Sequence, residues 1–382
     1  MHEKQSLKYA MITTREDLAA QVERLRKHNV IGVDLEADSL YHFKEKVCLL
    51  QIAAGSLNVV IDPLQIKDLT ALKPPFENPG IQKVFHGADY DIRSLFRDFK
   101  ITVNNLFDTQ LACRFLGINE TSLEAVIRRW FHVSLNKKYQ RKDWSKRPLS
   151  DEMVAYAAED VQYLIPLAHK IASRLEKKGR LSWVLEECEY LSKVRPVPND
   201  TGPLYLHFKG AGSLDPRSLA ILEALLQLRR NIAQKKDRPL FKVIQNKILL
   251  NLAIEKPLSS QQLDKMAILS PNQIKMHGQQ LLKTIRSASK LPTESLPSYP
   301  RKRPPRIAPR VGKRVKALKD WRDRQSQKQK IDPALLFTNA LLSNIALQNP
   351  KTVKALSGIK EMKNWQREMF GKEIVDLMSK LE

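Results

Sequence analysis

Two carboxylates lie two residues apart in a run that otherwise reads as a buried strand: Val33-Asp34-Leu35-Glu36-Ala37-Asp38, with Val30 and Ile31 ahead of it. A β-strand repeats every two residues, so Asp34 and Glu36 share one face while Val33 and Leu35 share the other. Adjacent acids on an interior strand repel each other and resist burial unless something positive compensates. A hard divalent cation, Mg²⁺ or Mn²⁺, suits such oxygen donors. On its own a D-x-E is a common, weakly specific tripeptide that a solvated edge strand also accommodates. Partners must therefore be sought elsewhere in the chain.

The surroundings place the pair in a sheet. Leu18, Val22 and Leu25, with Thr13 or Thr14 as a cap, predict a helix within 13–27. The runs 30–36, 47–54 and 57–62, the last two separated by a short joint at Ala54-Gly55-Ser56-Leu57, predict an antiparallel meander. Lys83 to His86 predicts a further strand. Ile92, Leu95, Phe96 and Phe99 then recur at three and four residues, as one face of a helix does, before the strand-like Leu106-Phe107-Asp108. A β-α-β unit beside a meander implies an α/β domain with a mixed sheet. From Thr109 to Val194 the pattern is helical. It includes an amphipathic piece from Ser122 to Trp130 and a single one from Ser150 to Lys177, with a polar, basic connection of no clear period between them at 135–149.

Arg195 to Pro203 is rich in proline and glycine and predicts a domain boundary. Beyond it only helical signals remain. The nineteen residues from Arg301 to Lys319 hold nine Lys or Arg and no acid, which reads as a solvated basic linker or a phosphate-contacting tether. The last stretch echoes the preceding one: a long basic helix, Pro333-Ala334 where the earlier piece has Pro239-Leu240, then a final amphipathic helix. A divergent duplication accounts for that order. The expected division is 1–200, 212–291, a basic Pro-rich linker at 292–315, and 316–382.

Charge narrows the partners. Sixty-five basic against forty-one acidic residues give +24, the electrostatic footprint of a nucleic-acid binder. No apolar run is long enough for a membrane span. Met1 to Gln5 lack the apolar core of a secretion signal, so a cytoplasmic location is expected. Cys48, Cys113 and Cys188 show no C-x-x-C spacing and read as small buried hydrophobes. No obligate protein partner is evident.

Two further acids answer the need for partners. Asp91 opens the helix after the 83–86 strand, where an acid suits the positive helix N-terminus; Asp89, two residues away, competes for the role. Tyr156 and Asp160, four apart, share a helical face, and the small Ala157 and Ala158 let that helix lie close to a neighbour. Together VDLEAD at Asp34 and Glu36, HGADYD ending at Asp91, and Y-x-x-x-D at Tyr156 and Asp160 resemble the DEDD superfamily of 3′-5′ exonucleases, and within it the ribonuclease D family. Ala155 stands where the histidine subtype would have His, so the resemblance is to the tyrosine subtype. The segment from Lys142 to Leu149 is similar to the family's DW-x-x-RPL stretch, and Phe107-Asp108-Thr109 to the joint after its second motif. The two C-terminal helical pieces resemble HRDC domains, small helical nucleic-acid-binding modules.

This resemblance implies an RNase H-like exonuclease domain followed by two small all-α domains. It implies hydrolysis from the 3′ end with two divalent cations, releasing nucleoside 5′-monophosphates. Asp34 would bridge both ions, Glu36 and Asp160 would complete the site that activates water, and Asp91 would serve the second ion. A phenol is a poor base at neutral pH, so Tyr156 would orient the water. Lys142 and Arg147 are candidates to meet the phosphate charge. Trp144 would pack under the site or stack a base, and Gln51 would touch a sugar hydroxyl or make a core hydrogen bond. His86 would support the Asp91 turn. The expected substrate is RNA, tRNA precursors among them; the alternatives are a DNA-directed exonuclease and a non-catalytic RNA-binding scaffold.

Overall fold

The computed structural model describes residues 8–196, 202–300 and 308–381. The expectations for Met1 to Gln5, for 197–201 within the 195–203 boundary and for 301–307 within the basic run lie outside the described residues. The chain divides into two compact units: 8–37, 47–196 and 308–381 form one, and 38–46 with 202–300 form the other.

The first unit is built on a six-stranded mixed sheet. Its strands are β1 (Ala10–Ile12), β2 (Val30–Ala37), β3 (Val47–Ala54), β4 (Leu57–Ile61), β5 (Gln82–Phe85) and β6 (Leu106–Asp108), in the order β1-β4-β3-β2-β5-β6. The meander is present, because β2, β3 and β4 pair antiparallel, while β2-β5 and β5-β6 pair parallel. Helix α1 (Arg15–Leu25) is capped by the Thr14 hydroxyl, which accepts the Asp17 amide, and buries Leu18, Val22 and Leu25. Such a cap contributes about 1 kcal/mol. Short helices α2 (Pro63–Ile66) and α3 (Lys73–Glu77) lead to β5, and α4 (Asp89–Phe99) to β6. Then follow α5 (Thr109–Leu116), α6 (Leu123–Phe131), α7 (Asp151–Gln162), α8 (Leu164–Lys177) and α9 (Leu181–Ser192).

The single helix expected over 150–177 is two helices. Pro166 has no amide hydrogen, and its ring would clash with the Gln162 carbonyl four residues back, so the chain turns at Tyr163 and restarts. That break lies against the sheet. A Cβ at Gly32 would stand 3.2 Å from Leu164 Cβ and 3.3 Å from the Val161 carbonyl, so a larger residue would push the α7–α8 corner outward by a few tenths of an ångström.

The second unit is a helical module of α10 (Pro216–Lys235), α11 (Leu240–Val243), α12 (Asn246–Glu255), α13 (Ser260–Lys265) and α14 (Pro271–Ser289). Its core is its own, built from Leu219, Leu222, Leu225, Leu249, Leu252, Leu281 and Ile285. Residues 308–381 form a second helical module of similar order, α15 (Pro309–Gln329), α16 (Pro333–Leu336), α17 (Asn339–Gln348) and α18 (Asn364–Ser379), with a 3-10 turn at Lys354–Gly358 where the first module has α13.

The linker expected at 292–315 is shorter than the charge run suggests, because 309–315 are the first two turns of α15. Val311, Val315 and Leu318 recur at four and three residues inside the basic run, and all three pack on the first unit's core. This module shares that core. Trp365 stacks on Trp183 of α9 (centroids 4.8 Å apart, 18° between planes) and meets Phe115 edge-on at 5.7 Å. The Glu186 carboxylate accepts the Asn364 and Trp365 amides at 2.8 and 2.9 Å, capping α18 from a different domain. Arg180 donates to the Gln329 carbonyl, and a Cβ at Gly117 would collide with the Lys330 carbonyl. Among the described residues no helix is long and apolar enough to cross a membrane.

Candidate active site

The pleat of β2 turns Gly32, Asp34 and Glu36 to one side of the sheet, the side on which the α7–α8 corner rests on Gly32. Helix α7 lies close because Ala157 and Ala158 are fully buried and the Asn58 amide of β4 donates to the Ala158 carbonyl at 3.0 Å. The four-residue repeat then aims Tyr156 and Asp160 at β2. Carboxylate oxygens of Asp34, Glu36 and Asp160 come within 4.8 Å of one another. Asp91, in the first turn of α4, stands outside that trio but is buried and repels both Asp34 and Glu36. The strand pair, the helix opening and the helical i,i+4 pair thus meet at one place.

Burial pushes the Asp34 carboxyl up to about 7. Glu36 is held well above its ordinary value by burial first and then by Asp34, Asp160 and Asp91. Asp91 is raised by burial, Asp34, Asp108 and Asp89; Asp160 by burial and Asp34, against a hydrogen bond from Tyr156. None of the four has a Lys or Arg partner among the described residues. Four clustered acids, Asp91 and Asp160 buried and Asp34 and Glu36 half-buried, with no cation among the described residues to pair them, form a donor set that fits a hard divalent ion, for which all-oxygen ligation is the preferred chemistry. Asp34, Glu36 and Asp160 are the groups placed to hold one. The Tyr156 phenol is raised by burial and by the neighbouring Asp160, Glu36 and Asp34. It stays protonated and acts as a donor, its hydrogen on Asp160.

Asp89 and Asp91 separate cleanly. Asp89 faces solvent and pairs with Arg93 at 2.8 and 3.0 Å, whereas Asp91 is 7% exposed and turned inward. The turn that carries Asp91 is held by Asp108, whose carboxylate accepts the backbone amides of Gly87, Ala88, Gln110 and Leu111 at 2.8–3.1 Å. One buried carboxylate thereby fixes the start of both α4 and α5. His86 supports the same corner: burial lowers its pKa, Nε2 lies 2.7 Å from the Thr121 carbonyl and Nδ1 2.9 Å from the Thr109 hydroxyl. With both nitrogens engaged it is no ligand.

Three of the four side chains expected to touch substrate are placed otherwise. Trp144 is 1% exposed and stacks on Tyr156 (centroids 6.1 Å apart, planes at 30°), so no base can reach its face. Arg147 spends its donors inside the protein, on both oxygens of Asp62 and on the carbonyls of Cys48, Trp144 and Lys146. Burial would raise the Asp62 carboxyl, but hydrogen bonds from Arg147 and Gln65 hold it below the usual range. Gln51 is fully buried in β3, directly opposite Asp34, beyond the reach of a sugar. Lys142 alone is exposed. Sequence reasoning missed Tyr139, which meets Tyr156 edge-on at 5.8 Å; an aromatic inside a polar, aperiodic loop was the available signal.

Comparison with known proteins agrees with this geometry. The 3′-5′ exonuclease family profile matches residues 9–176, and the HRDC domain profile matches 218–285 and again 312–378. Ribonuclease D of Gluconacetobacter diazotrophicus is 29% identical over 371 residues, which is 96% of this chain and 92% of that protein. Human exosome complex component 10 is 32% identical over 259 residues, 65% of this chain, but this match spans only 29% of that longer protein. The crystal structure of Escherichia coli RNase D, described as an exoribonuclease involved in structured RNA processing, superposes with a TM-score of 0.69 at 27% identity, covering 98% of this chain and 99% of that one.

Proposed function

We propose, for a chain that belongs to the ribonuclease D family of 3′-5′ exoribonucleases, that it trims the 3′ ends of structured RNAs such as tRNA precursors, releasing nucleoside 5′-monophosphates. The observation that carries this reading is the convergence of Asp34, Glu36 and Asp160 within 4.8 Å, with Asp91 beside them and the Tyr156 hydroxyl on Asp160. Two divalent cations, Mg²⁺ or Mn²⁺, would supply a nucleophilic water at neutral pH and offset charge on the leaving oxygen. Asp34, Glu36 and Asp160 would hold one ion, and Asp34 and Asp91 the other. With its hydrogen given to Asp160, the Tyr156 oxygen is left as an acceptor that orients the attacking water.

In this reading the catalytic domain is 1–200, the first HRDC module 212–291 and the second 309–382, two helical turns longer than the expected 316–382, and the enzyme works in the cytoplasm. Lys142 is the exposed cation that would approach the incoming phosphate. The net charge of +24 supports a grip on the RNA body that does not depend on base identity. A 5′-labelled tRNA precursor with a 3′ extension, incubated with Mg²⁺ or Mn²⁺ beside a matched single-stranded DNA, tests the proposal. Stepwise shortening of the RNA with 5′-monophosphate products is the expected result. Equal cutting of the DNA contradicts the RNA assignment, and internal cuts contradict the exonucleolytic one.

A further inference from the structure

Arg147 is the most heavily bonded side chain near the site, and none of its bonds points at substrate. Its Nε and Nη2 reach the two oxygens of Asp62 at 2.6 and 2.8 Å, Nη2 also reaches the Cys48 carbonyl at 2.9 Å, and Nη1 bridges the carbonyls of Trp144 and Lys146 at 2.8 and 2.7 Å. Asp62 is itself fixed, accepting from the Leu64 amide and the Gln65 side chain at 3.0 and 2.9 Å. The planar fork therefore ties an aperiodic loop to β3 and to the cap of α2 that follows β4, a geometry that an ammonium cannot reproduce.

That loop ends in two rings on one target. Trp144 stacks on the Tyr156 ring and Tyr139 closes on it edge-on. The Trp144 indole nitrogen is buried and finds no hydrogen-bond partner among the described residues, although buried indoles ordinarily do. Stacking, not hydrogen bonding, sets where this side chain lies. Because a phenol oxygen is rigid with its ring, whatever fixes the tilt of the ring fixes the direction of the hydroxyl.

We propose that residues 139–149 are a positioning strap for Tyr156, with Arg147 as its fastening to Asp62 and Trp144 and Tyr139 as the surfaces that set the ring. The proposal rests on the reading of Tyr156 as the phenol that orients water, and it gives Arg147 and Trp144 a positioning role in place of a substrate contact. A double-mutant cycle tests it. Arg147→Ala should lower kcat by about 10- to 100-fold, the scale of a misplaced reacting group, with KM for RNA changed by less than about twofold. In a Tyr156→Phe background the same substitution should cost less than about threefold, since groups acting as a unit are not additive. Arg147→Lys, which keeps the charge and loses the fork, should fall between and guards against a variant that fails to fold.

A readout independent of turnover is the ¹⁹F spectrum of the chain labelled with 3-fluorotyrosine. Its Tyr156 resonance, assigned by its loss in Tyr156→Phe, should shift or broaden in Arg147→Lys and Trp144→Phe. Equal losses of kcat in both backgrounds, a raised KM with unchanged kcat, or an unmoved Tyr156 resonance would overturn the proposal. A wild-type chain without metal-dependent exonuclease activity would defeat the functional reading instead, while the resonance still tests the strap.

Discussion

In the first helical module Arg229 of α10 donates to the Ile244 carbonyl at 3.0 Å and to Asn246 Oδ1 at 2.6 Å. In the second, Arg322 of α15 donates to the Phe337 carbonyl at 3.2 Å and to Asn339 Oδ1 at 2.9 Å. The two arginines occupy the same place in the same order of helices, so the modules share one internal plan. What differs is where each is stabilised. The first closes around its own aliphatic core, and its last long helix is capped locally, with the Ser270 hydroxyl accepting the Gln273 amide and the Gln273 side chain answering. The second carries Trp321, Phe337, Trp365 and Phe370, its core is continuous with that of the catalytic domain, and its last helix keeps only the local half of the cap, Gln366 accepting the Lys363 amide, while Glu186 of α9 accepts the Asn364 and Trp365 amides. A duplicated module has kept its scaffold and become part of the unit that carries the acids.

The comparison is broken most severely by removing the second module. Truncation after residue 300 should uncover Trp183 and Phe115 and leave the catalytic domain aggregated or unfolded, as size-exclusion chromatography and circular dichroism would show; a soluble, active fragment would mean that the shared core is dispensable. Next in size, Trp365→Ala should cost about 3–5 kcal/mol and lower the transition of the catalytic unit in calorimetry, whereas Leu222→Ala should cost about 2–5 kcal/mol and lower only that of the first module. Matched effects on both transitions would erase the distinction.

Smaller still are the caps. Glu186→Ala should destabilise the catalytic unit by about 1 kcal/mol and Ser270→Ala the first module by a similar amount, each without moving the other in denaturant titrations. The smallest effect is pH-dependent. Asp215 caps α10, and its hydrogen bonds with the Ser218 hydroxyl and amide, with Lys256 nearby, hold its carboxyl at about 2. A carboxyl depressed on folding stabilises above its unfolded value near 4 and loses that contribution as pH falls through about 2. The stability gap between wild type and Asp215→Ala should therefore be full at neutral pH and close in acid.

The sheet was legible from local periodicity, and spacing nominated Asp34 with Glu36 and Tyr156 with Asp160, but it left Asp89 and Asp91 open; the acids were joined into one set by the resemblance of their motifs to the DEDD exonucleases. Side chains whose role depends on contacts distant in sequence were not legible. Arg147 resembled a phosphate ligand because nothing near it in sequence reveals Asp62, eighty-five residues earlier, as its partner. For Trp144 and Gln51 the sequence left a buried role and a substrate contact both open, since burial is a property of the folded chain. The Tyr163 break depended on a single proline, and the basic run at 309–319 hid the stripe of Val311, Val315 and Leu318 because charge dominates its composition. Docking of the second module on α9 left no periodic trace, although Trp365 at the start of the final amphipathic helix was an unused sign.

A metal-dependent exonuclease centre at Asp34, Glu36, Asp91 and Asp160 needs both the ion and the carboxylates. The measurement that tests it most directly is a single-turnover assay of the metal-stripped chain on 5′-labelled RNA, with and without Mn²⁺, wild type beside Asp34→Asn. The account predicts a one-nucleotide ladder retreating from the 3′ end only when Mn²⁺ is restored, and slowed about a thousandfold or more by the substitution, as the loss of several kcal/mol of transition-state stabilisation requires. A ladder that persists in EDTA, or that Asp34→Asn leaves intact, would contradict it.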